Sequence, residues 1–193
     1  MIARGGRGRL LAAVGVALLV ATAASAQDED EDEGLGHSEY ARTGFYVGFA
    51  GGVAVENTGA GVDDSYAING WVGYRALPLI GLEGMVEHTT SDDLGGQSGG
   101  LESYTWTANL RAYFSNGRIQ PFGLVGLGMS FGEEKESSKV GNDADLAMRA
   151  GGGVEVHVLD GLSVIVSANY LNSFRANRHL DYMSGTVGVQ YQF

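Results

Sequence analysis

Six consecutive acids, Asp28 to Glu33, and four histidines, His37, His88, His157 and His179, carry the most obvious chemistry in this sequence. Carboxylate oxygens are hard ligands, so the acidic block could buffer calcium or magnesium weakly. It lacks the spaced loop that fixes a tight site. A run of like charge repels itself and stays solvated, so the block is read as a disordered tail. Among the histidines the candidate pairing is His88 with Ser91, three residues on. A base beside a hydroxyl is where nucleophilic chemistry starts, yet no acid partner or oxyanion donor accompanies this pair. The absence of Cys removes disulfides, thiolate catalysis, Cys-based zinc sites and acylated lipoproteins. No catalytic, cofactor-binding or metal-binding residue is therefore assigned. A second group, Arg75, Glu83, Glu87, Arg111, Asp145, Arg149 and Glu155, is different: each member recurs inside an alternating apolar stretch.

Those stretches need placing. The chain has 193 residues, 44% apolar and 9% aromatic, with 32 Gly and 2 Pro. That suits one folded domain and is too apolar for a wholly disordered chain. Arg4, Arg7 and Arg9 precede an apolar run from Leu10 to Ala24, and Ala24-Ser25-Ala26 is an A-x-A cleavage site. The run is shorter than the ~20 residues that span a bilayer as a helix. The reading is a signal peptide over 1–26, cleaved on export. Removal of its three arginines takes the formal charge from −11 to −14, which argues against a nucleic-acid partner, since phosphate binding needs a basic surface.

From Thr43 onward the dominant period is two, the signature of strands, and about eight are legible. "TGFYVGFAGGVAV" sets Phe45, Val47 and Phe49 on one face. "SYAINGWVGYR" groups Tyr66, Ile68, Val72 and Tyr74. "LIGLEGMVEHT" sets Ile80, Leu82 and Val86 against Glu83 and Glu87. In "SYTWTANLRAYF" Tyr104, Trp106, Leu110 and Phe114 oppose Thr105, Thr107, Asn109 and Arg111. "ADLAMRAGGGVEVHV" sets Leu146, Met148 and Val154 against Asp145, Arg149, Glu155 and His157. "LSVIVSANYL" and "TVGVQYQF" complete the pattern, while "IQPFGLVGLGMSF" is apolar on both faces and has no evident orientation. Tight turns near Pro78, at Ser115 to Arg118 and at Leu159 to Gly161 alternate with polar segments at 56–64, 91–100, 132–143 and 172–181. Short turns at one end and long loops at the other are the pattern of an outer-membrane barrel, with the short turns toward the periplasm.

An apolar strand face can also line the inside of a soluble lipocalin-like barrel. Three features favour lipid. Tyr66, Tyr104, Trp106 and Tyr170 fall near the loop ends of their apolar faces, and Phe45, Tyr74, Phe114, Tyr191 and Phe193 near the turn ends. Two such belts match the two interfaces of a bilayer. The middles of the clear apolar faces carry no Asp, Glu, Lys or Arg, where a basic residue would cost roughly 2–4 kcal/mol in hydrocarbon. Finally, a barrel in lipid must pair every backbone group, so its last strand closes on its first, and "TVGVQYQF" alternates cleanly to Phe193.

"NLRAYF", "IQPFGLVGLGMSFG", "AGGGVEVHV" and "VGVQYQF", in that order, resemble the OmpA/OmpX-type superfamily of small eight-stranded outer membrane β-barrels. The resemblance covers about Arg42 to Phe193. It implies an all-β, eight-stranded antiparallel up-and-down transmembrane β-barrel over 42–193, after an acidic tail over 27–41, in the bacterial outer membrane. It implies that Tyr191 and Phe193 belong to the C-terminal signal read by the barrel-assembly machinery. The chain stops without the peptidoglycan-binding domain of full-length OmpA, so wall tethering is not implied. Some barrels of this size resemble lipid A acyltransferases or deacylases, for which His88 with Ser91 is the only pairing placed near the outer leaflet.

Eight strands leave an interior just wide enough for side chains. We expect an internal charge network of Arg75, Glu83, Glu87, Arg111, Asp145, Arg149 and Glu155, chiefly Glu83 with Arg111 and Glu87 with Arg149. The expected role is structural or at the cell surface, without chemistry: a monomer whose partners are outer-membrane lipids, lipopolysaccharide, the assembly machinery and an unidentified ligand of the loops. The loops carry Asp63, Asp64, Asp92, Asp93, Glu133, Glu134, Lys135, Glu136, Lys139, Arg175, Arg178 and His179. A narrow ion path is the alternative.

Overall fold

The computed structural model describes residues 40–58, 61–91, 101–134, 145–174 and 179–193. The signal sequence, the acidic block and loop residues Asp92, Asp93, Lys135, Glu136, Lys139, Arg175 and Arg178 lie outside the described residues. Eight strands close into one antiparallel barrel in chain order. They are β1 (Gly44–Thr58), β2 (Gly61–Leu77), β3 (Ile80–Ser91), β4 (Leu101–Tyr113), β5 (Ile119–Glu134), β6 (Asp145–Leu159), β7 (Leu162–Phe174) and β8 (His179–Gln192). Closure leaves no strand edge with unpaired backbone groups. The seam pairs β1 with β8 from Tyr46↔Gln192 to Glu56↔Tyr182, and the Phe193 N–H donates to the Phe45 carbonyl at 2.9 Å.

Side chains alternate between wall and interior as the period of two demands. Tyr66, Ile68, Val72 and Tyr74 are exposed on the outer wall, while Ser65, Asn69, Trp71 and Arg75 between them are buried. β5, apolar on both faces in the sequence, takes its orientation from its neighbours. Arg111↔Leu124 and Leu110↔Val125 are opposite pairs, so Gln120, Phe122, Leu124 and Ser130 turn inward and Val125, Leu127 and Met129 face out.

The hairpins at the loop end stand taller than the sequence suggests. Residues 56–64 read as a polar loop, yet β1 and β2 pair through Glu56↔Asp63 to Thr58↔Gly61. The ladder is built from backbone groups and continues wherever both strands stay extended, whatever the polarity of the side chains. Likewise the 172–181 segment is mostly strand, with Phe174↔His179 still paired. At the other end the turns are tight. Gly161 takes φ +73°, where a side chain would be strained, and Ser115 Oγ closes the β4–β5 turn by donating to the Ile119 carbonyl at 2.9 Å.

Tyr40 and Ala41, grouped with the tail by the sequence, instead dock on this short-turn rim. Gln120 Nε2 donates to the Tyr40 carbonyl at 3.2 Å, Gln192 Nε2 donates to the Arg42 carbonyl, and Arg42 pairs with Asp160 at 2.7 Å. Ala41 is buried.

Candidate functional site in the barrel interior

The interior divides into two stacked networks. In the half nearer the short turns, Arg111 from β4 is the hub. Its Nη2 lies 2.6 Å from Glu83 Oε2, and its Nη1 lies 3.9 Å from Glu155 Oε2 and donates to Gln190 Oε1 at 3.1 Å. The carboxylates are held in turn. Glu83 accepts from Tyr46 OH at 3.3 Å and from Asn109 Nδ2 at 3.3 Å. Glu155 accepts from Tyr113 OH at 3.2 Å and from Gln190 Nε2 at 3.0 Å. Trp71 Nε1 donates to Gln190 Oε1 at 2.9 Å.

Around this hub pack Tyr46, Trp71, Met85, Tyr113, Phe122, Leu124 and Ile165. The Arg111 guanidinium lies 4.6 Å from the Phe122 ring centre and 5.5 Å from that of Tyr46, within cation–π range. Both Glu83 and Arg111 are almost fully buried. Buried ions of this kind survive only when paired and hydrogen-bonded, as these are. The result is a plug of packed side chains across the lumen.

The half nearer the loops is filled differently. Arg149 Nη1 meets Glu87 Oε2 at 3.0 Å. Glu87 also accepts from Asn69 Nδ2 at 3.2 Å and from Tyr182 OH. The surrounding buried residues are small or aliphatic, Ala54, Ala67, Ala147 and Leu171, interspersed with hydroxyls such as Ser65, Thr89, Thr105 and Ser173.

The structure thus brings together Glu83 with Arg111, Glu155 with Arg111, and Glu87 with Arg149. Two of the sequence candidates stand elsewhere. Arg75 is buried but turns down to cap the β2–β3 turn, donating from Nε to the Pro78 carbonyl at 2.9 Å and from Nη2 to the same oxygen, with its guanidinium 3.9 Å from the Tyr113 ring centre. An arginine so close to a turn finds the turn's carbonyl before it reaches a carboxylate. Asp145 is the first residue of β6 and half-buried at the rim, two turns of the alternation above Arg149. The sequence reading missed the interior aromatics Tyr46, Trp71, Tyr113 and Tyr182 and the amide of Gln190 as its partner. Strand parity could have found three of them: Trp71 shares its face with Asn69 and Arg75, Tyr113 with Asn109 and Arg111, and Tyr182 with Gln190. Tyr46 stands among Gly and Ala on its face of β1, which gives no such signal.

Two groupings invite catalytic comparison. Ser163 Oγ lies 2.9 Å from His157 Nδ1, and His157 Nε2 lies 3.7 Å from Glu155 Oε1. Ser163 is 1% exposed, so no substrate carbonyl can reach it. On the outer wall His88 Nε2 is 2.9 Å from Thr90 Oγ1, and its ring stacks on Tyr104 with centres 4.4 Å apart. The side chain of Ser91 lies outside the described residues. Among the described residues no group of three His, Asp or Glu side chains is placed to hold a metal ion.

The belt residues all lie on the outer wall. Tyr66, Tyr104, Trp106 and Tyr170 are exposed toward the loop end, joined by Phe131 and Phe174. Phe45, Tyr74, Phe114, Tyr191 and Phe193 are exposed at the short-turn rim, where Phe45 and Tyr74 pack at 4.9 Å and Tyr191 and Phe193 meet edge-on at 5.1 Å. An outer wall of exposed Val, Leu, Ile and Phe around a polar, ion-paired interior is the reverse of a soluble barrel. The family model of the outer membrane protein β-barrel domain matches residues 14–193. The chain belongs to this family. Its place is the bacterial outer membrane.

This outer membrane β-barrel is similar in fold to solved relatives. Neisserial surface protein A matches with a TM-score of 0.68 at 14% identity, over 77% of this chain and 97% of that one. The N-terminal β-barrel domain of Pseudomonas aeruginosa OprF matches with a TM-score of 0.54 at 14% identity, over 79% and 100%. Ail, the attachment invasion locus protein of Yersinia pestis, matches with a TM-score of 0.52 at 17% identity, over 78% and 97%. Among curated protein sequences nothing matches.

Proposed function

We propose that this protein is a sealed, monomeric outer membrane barrel with a structural or surface-interaction role, exported by a cleaved signal peptide over residues 1–26 and carrying no enzymatic activity. Its short turns face the periplasm and its tall hairpins face outward. The observation that carries this reading is the plug: Arg111, clamped by Glu83, Glu155 and Gln190 and ringed by Tyr46, Trp71 and Phe122, fills the lumen with near-fully buried side chains. A file of water or ions would have to displace several paired charges, each costly to leave alone in a dry interior. Against catalysis stands the burial of Ser163.

The two aromatic belts hold the wall at the two interfaces, with lipopolysaccharide around the upper one. Tyr191 and Phe193 address the barrel-assembly machinery. Their position at the β1–β8 seam supports this, since the strand that closes the barrel is the one to present.

Planar-bilayer recording tests the sealed barrel. Neither the wild type nor Arg111→Ala should show stepwise current. Sustained unitary conductance in the wild type would replace this reading with a channel.

A further inference from the structure

A pocket of about 230 Å³ opens at the short-turn rim, between the strap from Tyr40 to Arg42 and the turns around Arg118 and Asp160. His157 and Gln192 complete its lining. The arginines of the described residues are sorted about it. Arg75, Arg111 and Arg149 are buried in the lumen. Arg42 and Arg118, the other two, are exposed, and both stand in this one pocket.

Arg118 is held in a fixed attitude although it is exposed. Its carbonyl accepts from the His157 N–H at 3.0 Å, and its Nε donates to the His157 carbonyl at 3.0 Å. The terminal nitrogens of its fork remain for a ligand. A guanidinium offers two parallel donors that match a carboxylate, and one already anchored loses little freedom on binding. Arg42 is brought in by the strap, which Gln120 and Gln192 tie to the barrel through the Tyr40 and Arg42 carbonyls. Its pair with Asp160 is open to water, the two side chains being 48% and 80% exposed. Such a pair contributes little, so it yields to a competing carboxylate. The Tyr40 ring packs over His157 with centres 5.6 Å apart and gives the pocket an aromatic wall. With Asp160 counted, the two arginines leave one net positive charge. That suits a singly charged carboxylate better than a phosphate group, which carries more negative charge at pH 7.

We propose that this pocket binds one carboxylate, the end of a peptide or of a sugar acid, with Arg118 as its main anchor and Arg42 shared between the ligand and Asp160. That the ligand is met in the periplasm rests on the orientation of the short turns given above, whereas the contact itself does not depend on it.

Heteronuclear NMR of the mature protein in micelles tests the contact. The Nε–H signals of Arg42 and Arg118 would be followed as N-acetyl-Ala-Ala, its C-terminal amide, glucuronate or inorganic phosphate is added. Saturable shifts at about millimolar N-acetyl-Ala-Ala or glucuronate are expected. Either supports the site, and the one that acts names the source. Arg118→Gln should weaken binding about tenfold or more, and Arg118→Lys, which keeps the charge without the fork, by less. Asp160→Asn should tighten it several-fold by releasing Arg42, an effect that a purely structural rim would not show. An amide that acts as well as the acid, or saturation by neither acid, would overturn the site. Equal binding of phosphate would overturn the choice of carboxylate. Binding that appears only after Asp28 to Glu33 are exchanged for Asn and Gln would give the pocket to the chain's own acidic block. Orientation is read separately with Gly117→Cys, where a Cβ meets only Ser115 Oγ at 3.7 Å in a chain without other Cys. It should resist an impermeant maleimide in intact cells, and labelling there would overturn the periplasmic location while leaving the site.

Discussion

In the half of the barrel nearer the short turns, Arg111 touches two carboxylates and an amide and has aromatic rings around it. In the half nearer the loops, Arg149 has a single carboxylate, Glu87, which is itself supplied with two neutral donors, Asn69 and Tyr182. The first arginine holds together groups that would otherwise repel. The second completes an acceptor already half satisfied. A buried charge is therefore worth what its neighbours lose when it goes, rather than the strength of its own closest contact.

Truncation should break the symmetry first. Arg111→Ala leaves Glu83 and Glu155 buried without their shared cation and should lose about 5 kcal/mol, the upper end of the range for a broken buried pair. Arg149→Ala should lose about 3 kcal/mol, the lower end. Urea midpoints for folding in detergent measure both, and equal losses would erase the distinction between the halves.

Neutral replacement sharpens it. Glu87→Gln/Arg149→Met keeps an acceptor for Tyr182 and should stay within about 1 kcal/mol of the wild type, since exchanging a whole buried pair is often neutral. Glu83→Gln/Arg111→Met should still cost about 3 kcal/mol, because Glu155 is left without Arg111. The same titrations decide, and a neutral result at the lower site would make the plug modular.

Packing gives a smaller contrast. A Cβ on Gly73 would lie 2.3 Å from the Tyr46 ring, so Gly73→Ala should cost about 1–3 kcal/mol by overfilling the plug. Gly84→Ala on the open wall should leave the urea midpoint unchanged. At the low end of the losses, Trp71→Phe removes the bond to Gln190 but leaves that amide held by Arg111, a loss of about 1 kcal/mol. A larger drop in the urea midpoint would mean that Trp71 fastens the plug directly.

The contrast also explains what the sequence could reveal. Six strands announce themselves because their lumen-facing residues are largely polar, as with Thr105, Asn109 and Arg111 on β4, and β1 because its outward Phe45, Val47, Phe49 and Val53 alternate with small residues. β5 does not, since Phe122 and Leu124 belong to the aromatic plug and erase the alternation that marks a face. The pairs Glu83–Arg111 and Glu87–Arg149 follow from counting heights along alternating strands. The turn cap by Arg75 does not, because a backbone carbonyl has no sequence signature. Polar residues 56–64 read as a loop because side-chain polarity reports the end of the lipid, and the backbone ladder runs on past it.

An even number of strands has a consequence for handling the molecule. Gly44 opens β1 at the same rim where Gln192 ends β8, and the strap from Tyr40 to Arg42 is tied down there. Handles fused at either end therefore emerge on one side together, and an epitope meant for the opposite side has to be spliced between two strands, for example after Phe174.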